Sequence, residues 1–236
     1  MTLSEKTVLV VGGSSGIGLG IAEAALAAGA RVTIASRSPE KISAAVERLG
    51  DAAQGAQLDT GDAEAIDRFF AARAPFDHIV VSAAQTKVAP VRDLPLEDAY
   101  QSMNSKFWGA YRIARAARMA EGGSLTLVSG FLSIRPKKGA AIQSAINAGL
   151  EGLTRGLALE LAPVRVNCVS PGLVMTPMLD GQGGDARQAM FEGAAQRLPV
   201  GRVGAPAHIA IQVMAFLANP YITGTTVYVD GGGAIA

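Results

Sequence analysis

The sequence contains little cysteine and histidine, and each shortage excludes a class of protein. Its 236 residues include one cysteine and two histidines. A single cysteine permits no internal disulfide and fits a reducing, cytoplasmic location. Because this cysteine lies in the apolar run Val164–Val169, we expect Cys168 to be a core residue. His78 and His208 are far apart and the acidic residues do not cluster, so no metal site is expected.

Charge and long apolar runs are scarce as well. The formal net charge is +1 and 17% of the residues are charged, which gives no reason to expect a nucleic acid or an anionic membrane as partner. No apolar run reaches about 18 residues, so no membrane span is expected, and the polar stretch Met1–Lys6 does not resemble a signal peptide. The mean hydropathy is nevertheless positive. We therefore expect more buried surface than a monomer needs, and hence an oligomer.

Short apolar runs alternate with helical segments along the chain. Strands are predicted at Thr7–Val11, Arg31–Ser36, Gln57–Leu58, His78–Ser82, Ser124–Ser129, Val164–Val169 and Thr226–Val229. Helices are predicted at Ile17–Ala28, Pro39–Leu49, Ala63–Ala72, Leu96–Met119, Ala140–Leu161 and Pro206–Ala218. This alternation predicts an α/β fold, with about seven strands in a doubly wound parallel sheet and helices on both faces. We expect one domain over residues 1–236.

The first strand leads into a helix through a glycine-rich turn. Gly12, Gly16 and Gly18 directly follow Thr7–Val11. Glycines at these places allow a sharp turn, a close approach of a pyrophosphate to the backbone and tight packing of helix on strand. The helix N-terminus adds free amide groups, and the residues expected to bind the anion are Gly12, Ser14, Ser15, Gly16, Ile17 and Gly18. An ordinary tight turn between strand and helix is the alternative.

The ends of the later strands carry the other residues expected to bind a dinucleotide. Ser36 leaves room for a 2′-phosphate and Arg37 can bind it, so NADP(H) is favoured over NAD(H); the alternative is a solvated arginine. Asp59 could accept a hydrogen bond from the adenine amino group, or could cap the following helix. The small residues Ser82, Ala83 and Ala84 would let a flat ring system lie close to the backbone.

Several short motifs occur together along the chain. They are Gly12–Gly18, Leu58-Asp59, Ser82–Ala84, Glu151–Arg155, Val164–Asn167, Ser170–Gly172, Thr176–Met178, Ile222–Gly224 and Asp230–Gly232. In this combination they resemble the short-chain dehydrogenase/reductase family over nearly the whole sequence. The resemblance implies a Rossmann-type fold and places Pro171, Gly172 and Thr176 beside a nicotinamide. It also implies a homotetramer, or sometimes a homodimer, built on the two long helices and on the last helix and strand.

The catalytic residues that the resemblance implies are altered in this sequence. Family members use a tyrosine as acid, a lysine four residues later, a serine at a strand end and an asparagine on the preceding helix. By its flanking residues, this chain has Gln143 at the tyrosine position, Asn147 at the lysine position, Gly130 (preceded by Ser129) at the serine position and Lys106 at the asparagine position. None of the four tyrosines has a lysine four residues after it. The usual acid is therefore absent.

Lys106 is the candidate replacement for this acid. Gln143 and Asn147 are four residues apart and should share a helix face, but a glutamine has no proton to give up near neutral pH. A partly desolvated Lys106 near Asn147 could act as the acid or hold the ribose. The alternative is a surface lysine on an exposed helix turn. The expected catalytic set is Lys106, Gln143, Asn147 and Ser129.

Two functions remain open at this point. The first is an NADP(H)-dependent oxidoreductase that transfers hydride to a small organic substrate: a carbonyl, an imine, a quinone or an activated alkene. Electron-poor acceptors of this kind need less help from an acid. The second is a catalytically silent dinucleotide-binding or regulatory protein. In either case the glycine-containing segment 175–201 could close over the site as a mobile lid, or could be a solvated surface loop.

Overall fold

The central sheet is built from parallel strands. The computed structural model describes residues 2–177 and 184–236. Within these ranges the strands are β1 (Thr7–Val11), β2 (Arg31–Ser36), β3 (Ala53–Gln57), β4 (Phe76–Val81), β5 (Met119–Val128), β6 (Arg165–Pro171) and β7 (Thr226–Val229). They lie in the order β3-β2-β1-β4-β5-β6-β7, and every neighbouring pair is parallel. The predicted doubly wound α/β sheet is confirmed, and the strand order reverses between β1 and β4.

Helices cover both faces of this sheet. They are α1 (Gly16–Ala27), α2 (Pro39–Leu49), α3 (Ala63–Ala71), α4 (Leu96–Met103), α5 (Gly109–Ala116), α6 (Ala141–Glu160), α7 (Gly184–Arg197) and α8 (Pro206–Ala218), with a π-helical turn at Asn104–Trp108 and a 3-10 turn at Phe131–Ser133.

Strand β1 is buried on both faces, as its apolar sequence predicts. Val8 and Val10 belong to the core cluster that contains α1 and α8 residues. Leu9 and Val11 belong to the opposite cluster, which contains residues of α3, α5 and α6. Cys168 is fully buried in this second cluster, which confirms its prediction as a core residue.

The predicted helix Leu96–Met119 is wrong in its continuity and at its C-terminal end. A π-helical turn separates α4 from α5, and such turns are frequent near functional sites. Met119 is the first residue of β5, where it pairs with Phe76 of β4. This pairing of neighbouring strands outweighs the helical preference of the preceding residues. Strand β3 also begins earlier than predicted, at Ala53 instead of Gln57.

The segment 175–201 is partly helical. Residues 178–183, and with them Gly181 and Gly183, lie outside the described residues. From Gly184 onward the chain forms α7, so the alternative of a surface loop is wrong for this part. The helix is stabilised by an apolar contact, because Phe191 and Ala194 are buried with Val203 and pack against Leu198.

Two kinds of feature are absent from the described residues. Nowhere in residues 2–177 and 184–236 is there a helix that is both long enough and apolar enough to cross a bilayer. The same ranges contain no group of three or more histidine, cysteine, aspartate or glutamate side chains that could hold a metal ion.

Candidate functional site

The glycine turn between β1 and α1 is a cradle that side chains would fill. Gly12 has a φ of +86°, and a Cβ atom there would lie 2.5 Å from the backbone nitrogen of Ala83. A Cβ atom on Gly18 would collide with the carbonyl oxygen of Gly12. No side chain caps the N-terminus of α1, since Ser15 makes no capping bond. The turn therefore has the space and the backbone donors that a phosphate group needs, so it fits the pyrophosphate of a dinucleotide.

Ser36 and Arg37 lie at the end of β2, beside this turn. The Ser14 hydroxyl donates a hydrogen bond to the Ser36 hydroxyl at 2.9 Å, which joins the turn to the strand end. Arg37 is exposed, and its Nη1 donates to Oε1 of Gln85 at 2.6 Å. The guanidinium thus reaches across from β2 to the segment that follows β4.

Asp59 follows the end of β3 and remains exposed. Its Oδ1 accepts a hydrogen bond from the Gly61 amide at 2.8 Å. The alternative that Asp59 caps α3 is wrong, because the capping residue is Asp62, whose carboxylate accepts from the Ala65 amide at 2.9 Å. A cap must lie directly before the first helical residue, and α3 begins at Ala63.

The ends of β4 and β6 complete the same edge of the sheet. Ser82, Ala83 and Ala84 are half-buried, and the Ser82 amide donates to the Val11 carbonyl at 2.8 Å. Pro171 ends β6, and Gly172 is so close to Asp230 that a Cβ atom would lie 2.6 Å from its Cα.

Thr176 is brought to the glycine turn from a distant part of the chain. A Cβ atom on Gly16 would lie 3.4 Å from Cγ2 of Thr176. The predicted cofactor residues therefore lie along one edge of the sheet, on both sides of the β1–β4 reversal, where ligands bind in open α/β sheets.

Lys106 and Asn147 form a hydrogen-bonded pair within the site. The Lys106 amine donates to Oδ1 of Asn147 at 2.7 Å and to the Ser129 carbonyl at 2.8 Å. Asn147 is 4% exposed and Lys106 is half-buried. The alternative of a solvated surface lysine is therefore wrong. The contact joins the π-helical turn to α6 and to the end of β5.

Burial changes the proton affinity of the Lys106 amine. Burial lowers the pKa of Lys106 to about 8, although the neighbouring Cys168 and Glu151 act to raise it. An amine with such a pKa is still mostly protonated at neutral pH, yet it releases its proton far more readily than an exposed lysine does.

Gly130 and Gln143 do not replace the missing serine and tyrosine. A Cβ atom on Gly130 would lie 2.8 Å from Nδ2 of Asn147, so the asparagine fills the space that a serine side chain would need. The Gln143 amide donates to the Thr86 hydroxyl at 2.7 Å. This bond ties Gln143 to the segment after β4 and gives it no proton to transfer.

Sequence analysis missed Glu151 as a residue of the site. Its Oε1 accepts hydrogen bonds from the hydroxyls of Ser129 (3.1 Å), Ser133 (2.6 Å) and Ser170 (3.3 Å), and its Oε2 accepts one from Tyr228 (2.8 Å). We call these five residues the Glu151 cluster. Burial, together with the bond to Glu151, raises the pKa of the Tyr228 hydroxyl. The sequence did contain a clue, because Glu151 is four residues after Asn147 and so lies on the same face of α6.

Known proteins share both the sequence and the fold. A family model described as enoyl-(acyl carrier protein) reductase matches residues 11–233. The chain is 30% identical over 256 residues to a short-chain dehydrogenase/reductase, ucsE, of Acremonium sp, covering 99% of this chain and 97% of that protein. The chain belongs to the short-chain dehydrogenase/reductase family. It is thus an oxidoreductase of the short-chain dehydrogenase/reductase type.

Two solved structures of this family superpose on nearly the whole chain. The MalC reductase/Diels-Alderase of Malbranchea aurantiaca has a TM-score of 0.90 and 30% identity, covering 98% of this chain and 96% of that one. A small-chain dehydrogenase in complex with NADPH has a TM-score of 0.85 and 33% identity, covering 99% of this chain and 100% of that one. Within this short-chain dehydrogenase/reductase fold, the present chain places the Lys106–Asn147 pair at the end of β5.

Proposed function

We propose that the protein is an NADP(H)-dependent oxidoreductase in which Lys106 acts as the general acid. The observation that carries this proposal is the enclosed Lys106 amine, which is fixed by Asn147 and the Ser129 carbonyl. Two of its three protons are held by these acceptors, and the amine retains a third. With its lowered pKa, the amine can supply a proton to a substrate near neutral pH.

The residues around the glycine turn support NADP(H) as the cofactor. When bound, this cofactor would supply the hydride. Gly12, Gly16 and Gly18 leave the backbone free to hold a pyrophosphate. The exposed guanidinium of Arg37, which donates to Gln85 through Nη1, would bind a 2′-phosphate. The similar dehydrogenase that is known in complex with NADPH supports the same choice.

The substrate we propose is a small electron-poor acceptor: a carbonyl, an imine, a quinone or an activated alkene. Gln143 lacks an acidic proton, so an acceptor that is already activated suits this site best. The description of the matching family as an enoyl reductase, and the name of the MalC reductase, are in accord with such reductions. We propose that the segment 175–201 closes over the acceptor, because Thr176 at its start lies so near the glycine turn that a Cβ atom on Gly16 would be 3.4 Å from its Cγ2.

The first experiment measures cofactor binding and turnover. Titration calorimetry with NADPH and with NADH should give tighter binding of NADPH. A panel of quinones, enones, imines and ketones is then assayed by NADPH oxidation, and Lys106→Met is compared with Lys137→Met, which alters an exposed lysine. We expect turnover to fall by roughly 10²–10⁴-fold in Lys106→Met, with NADPH binding and the control variant unchanged. Binding of neither cofactor would overturn the proposal.

A silent binding protein is the second candidate, and one observation favours it. The Gln143 amide is engaged by Thr86, and two Lys106 protons are engaged by internal acceptors. A protein of this kind would bind NADPH in the calorimeter and oxidise none of it with any acceptor in the panel. The same experiment therefore separates the two functions.

We also propose that the protein assembles through the α4–α5 and α6 helices. Trp108 and Tyr111 are 46% and 41% exposed, and Leu159 of α6 is 83% exposed. Apolar side chains of this size favour burial against another subunit. Light scattering coupled to gel filtration should report a homotetramer or a homodimer, and Leu159→Glu should shift the mass toward the monomer.

A further inference from the structure

Glu151 is an unusual residue for its position. Of the acidic side chains that the structure describes, only Glu151 is buried, with 7% exposure. Burial of a carboxylate is costly unless hydrogen bonds and an opposite charge compensate for the lost water. Four hydroxyls supply the hydrogen bonds, and they come from the residue after β5, from β6, from β7 and from the 3-10 turn. Hydroxyls carry no net charge, so the compensating charge must come from elsewhere.

Ser129 connects this carboxylate to the Lys106 amine. Its hydroxyl donates to Oε1 of Glu151 at 3.1 Å, while its carbonyl accepts from the Lys106 amine at 2.8 Å. The Glu151 carboxylate and the Lys106 amine are therefore hydrogen-bonded to the same buried residue, one through its hydroxyl and the other through its carbonyl. The attraction is effective here because both groups are shielded from water.

Few other charged or titratable groups face Lys106. Cys168 approaches from β6, and Asn147 of α6 is neutral. Tyr228 faces Glu151 from β7, and its raised pKa keeps it uncharged at neutral pH. The buried Arg165 is directed away, since its guanidinium donates to the carbonyls of Phe216, Leu217 and Ile222.

We propose that Glu151 is the counter-ion and positioning residue of Lys106. Its charge favours the protonated amine, and its bonds to Ser129 and Ser133 hold the end of β5 in the place where the Ser129 carbonyl meets that amine. Glu151 acts through Lys106 and Ser129 and donates no proton itself. The inference extends the proposed role of Lys106, but its test needs no turnover.

The test is an NMR titration of the lysine side chains. The chain has six lysines, and the other five are exposed, so the Lys106 amine should titrate well below the rest. Its resonance is identified by its absence in Lys106→Met. In Glu151→Gln, which keeps the size of the side chain, we expect the midpoint for Lys106 to fall by about one pH unit, because the opposing charge is gone.

Two control variants separate charge from hydrogen bonding. Tyr228→Phe and Ser133→Ala each remove one bond to Glu151 and leave its charge in place. The Lys106 midpoint should move much less in these variants than in Glu151→Gln. A folded Glu151→Gln variant with the wild-type midpoint would overturn the proposal.

A measurement on the wild type decides the case if Glu151→Gln does not fold. With glutamate carboxyls labelled by carbon-13, one resonance should show a step at the Lys106 midpoint that disappears in Lys106→Met. Absence of that step would overturn the proposal. A shifted lysine titration in a protein that oxidises no NADPH would instead keep the Lys106–Glu151 pair and refute Lys106 as a catalytic acid.

Discussion

Asn147 links Lys106 and Gly130 within the candidate site. Asn147 presents its Oδ1 to Lys106, and its Nδ2 occupies the space in front of Gly130. A lysine at position 147 would bring a second cation toward the Lys106 amine, and a serine at position 130 would press on Asn147. Reversing any one of these differences alone therefore disturbs the other two.

The first prediction at this scale concerns Gly130. Gly130→Ser should lower the free energy of unfolding by roughly 1–3 kcal/mol, because its Cβ would lie 2.8 Å from Nδ2 of Asn147. Chemical denaturation of Gly130→Ser, of Asn147→Ala and of the double variant measures the effect. In the double variant the loss caused by the serine should largely disappear. If the serine lowers the free energy of unfolding equally with and without the Asn147 side chain, the predicted clash between the introduced Cβ atom and Asn147 is wrong.

The second prediction concerns pH. An acid must carry its proton, and the pKa of Lys106 is lowered to about 8, so kcat/KM should be level below that pH and fall about tenfold per unit above it. A pH profile with NADPH and a reactive quinone checks this. In Lys106→Met, the residual kcat/KM should not fall above a pH of about 8. If the fall persists in this variant, the titrating group is not Lys106.

At the scale of elements, the sequence predicted the bounds of five of the described helices and strands. β1, β2, α2, α8 and β7 have the predicted bounds, because each is a compact apolar or well-capped segment. β3 was recognised only at its end because Ala53–Gln57 is an edge strand with two buried residues. An edge strand has little apolar periodicity to detect.

The sequence predicted the parts of the candidate site that are formed by the backbone better than the parts that are formed by contacts between side chains. Glycines and strand ends predicted which edge of the sheet carries the candidate cofactor residues, since both are local properties of the sequence. The Lys106–Asn147 contact was anticipated from family positions. The Glu151 cluster was not, because it joins α6 to β6, β7 and the residue after β5, and the directions of these side chains follow only from the assembled sheet.

The glycine turn supplies a prediction with a matched control. Gly12 and Gly50 have similar φ angles of +86° and +81°, but a Cβ on Gly12 would strike Ala83, whereas Gly50 has no atom within 4 Å of the added carbon. Gly50→Ala should cost roughly 1–3 kcal/mol of unfolding free energy for its backbone conformation alone, because a φ of 81° with a ψ of −172° is a region that essentially only glycine adopts. Gly12→Ala should cost clearly more and abolish NADPH binding. Thermal unfolding and calorimetry measure both, and equal costs would contradict the close approach.

At the scale of the whole molecule, the two ends of the sheet have separate roles. The edge of the sheet that carries the candidate cofactor residues, which we call the ligand edge, lies at the carboxyl ends of the strands. At the opposite end, Asp77 accepts bonds from the Thr7 amide (2.9 Å), the Thr7 hydroxyl (2.8 Å) and the Lys6 amine (2.9 Å), and so joins the start of β1 to β4. Burial would raise the pKa of Asp77, but these bonds outweigh it and lower the pKa to about 2.

This arrangement predicts an acid-dependent contribution to stability. A carboxyl whose pKa is lower in the folded than in the unfolded state stabilises the protein above the unfolded value, and the contribution is lost as pH falls toward about 2. Asp77→Asn should therefore cost about 1–2 kcal/mol at pH 7 and almost nothing near pH 2. Urea denaturation across this range tests the trend, and a pH-independent difference would refute it. NADPH affinity should stay unchanged, because Asp77 is remote from the ligand edge.

The contacts that build the ligand edge connect segments far apart in the chain. Lys106 and Asn147 are separated by 41 positions, and Glu151 and Tyr228 by 77. Pairings of such long range form late, because the entropy of closing the intervening loops has to be overcome first. During refolding, helices would thus appear before the lysine acquires its unusual acidity. That acidity should consequently appear only when these distant segments have come together.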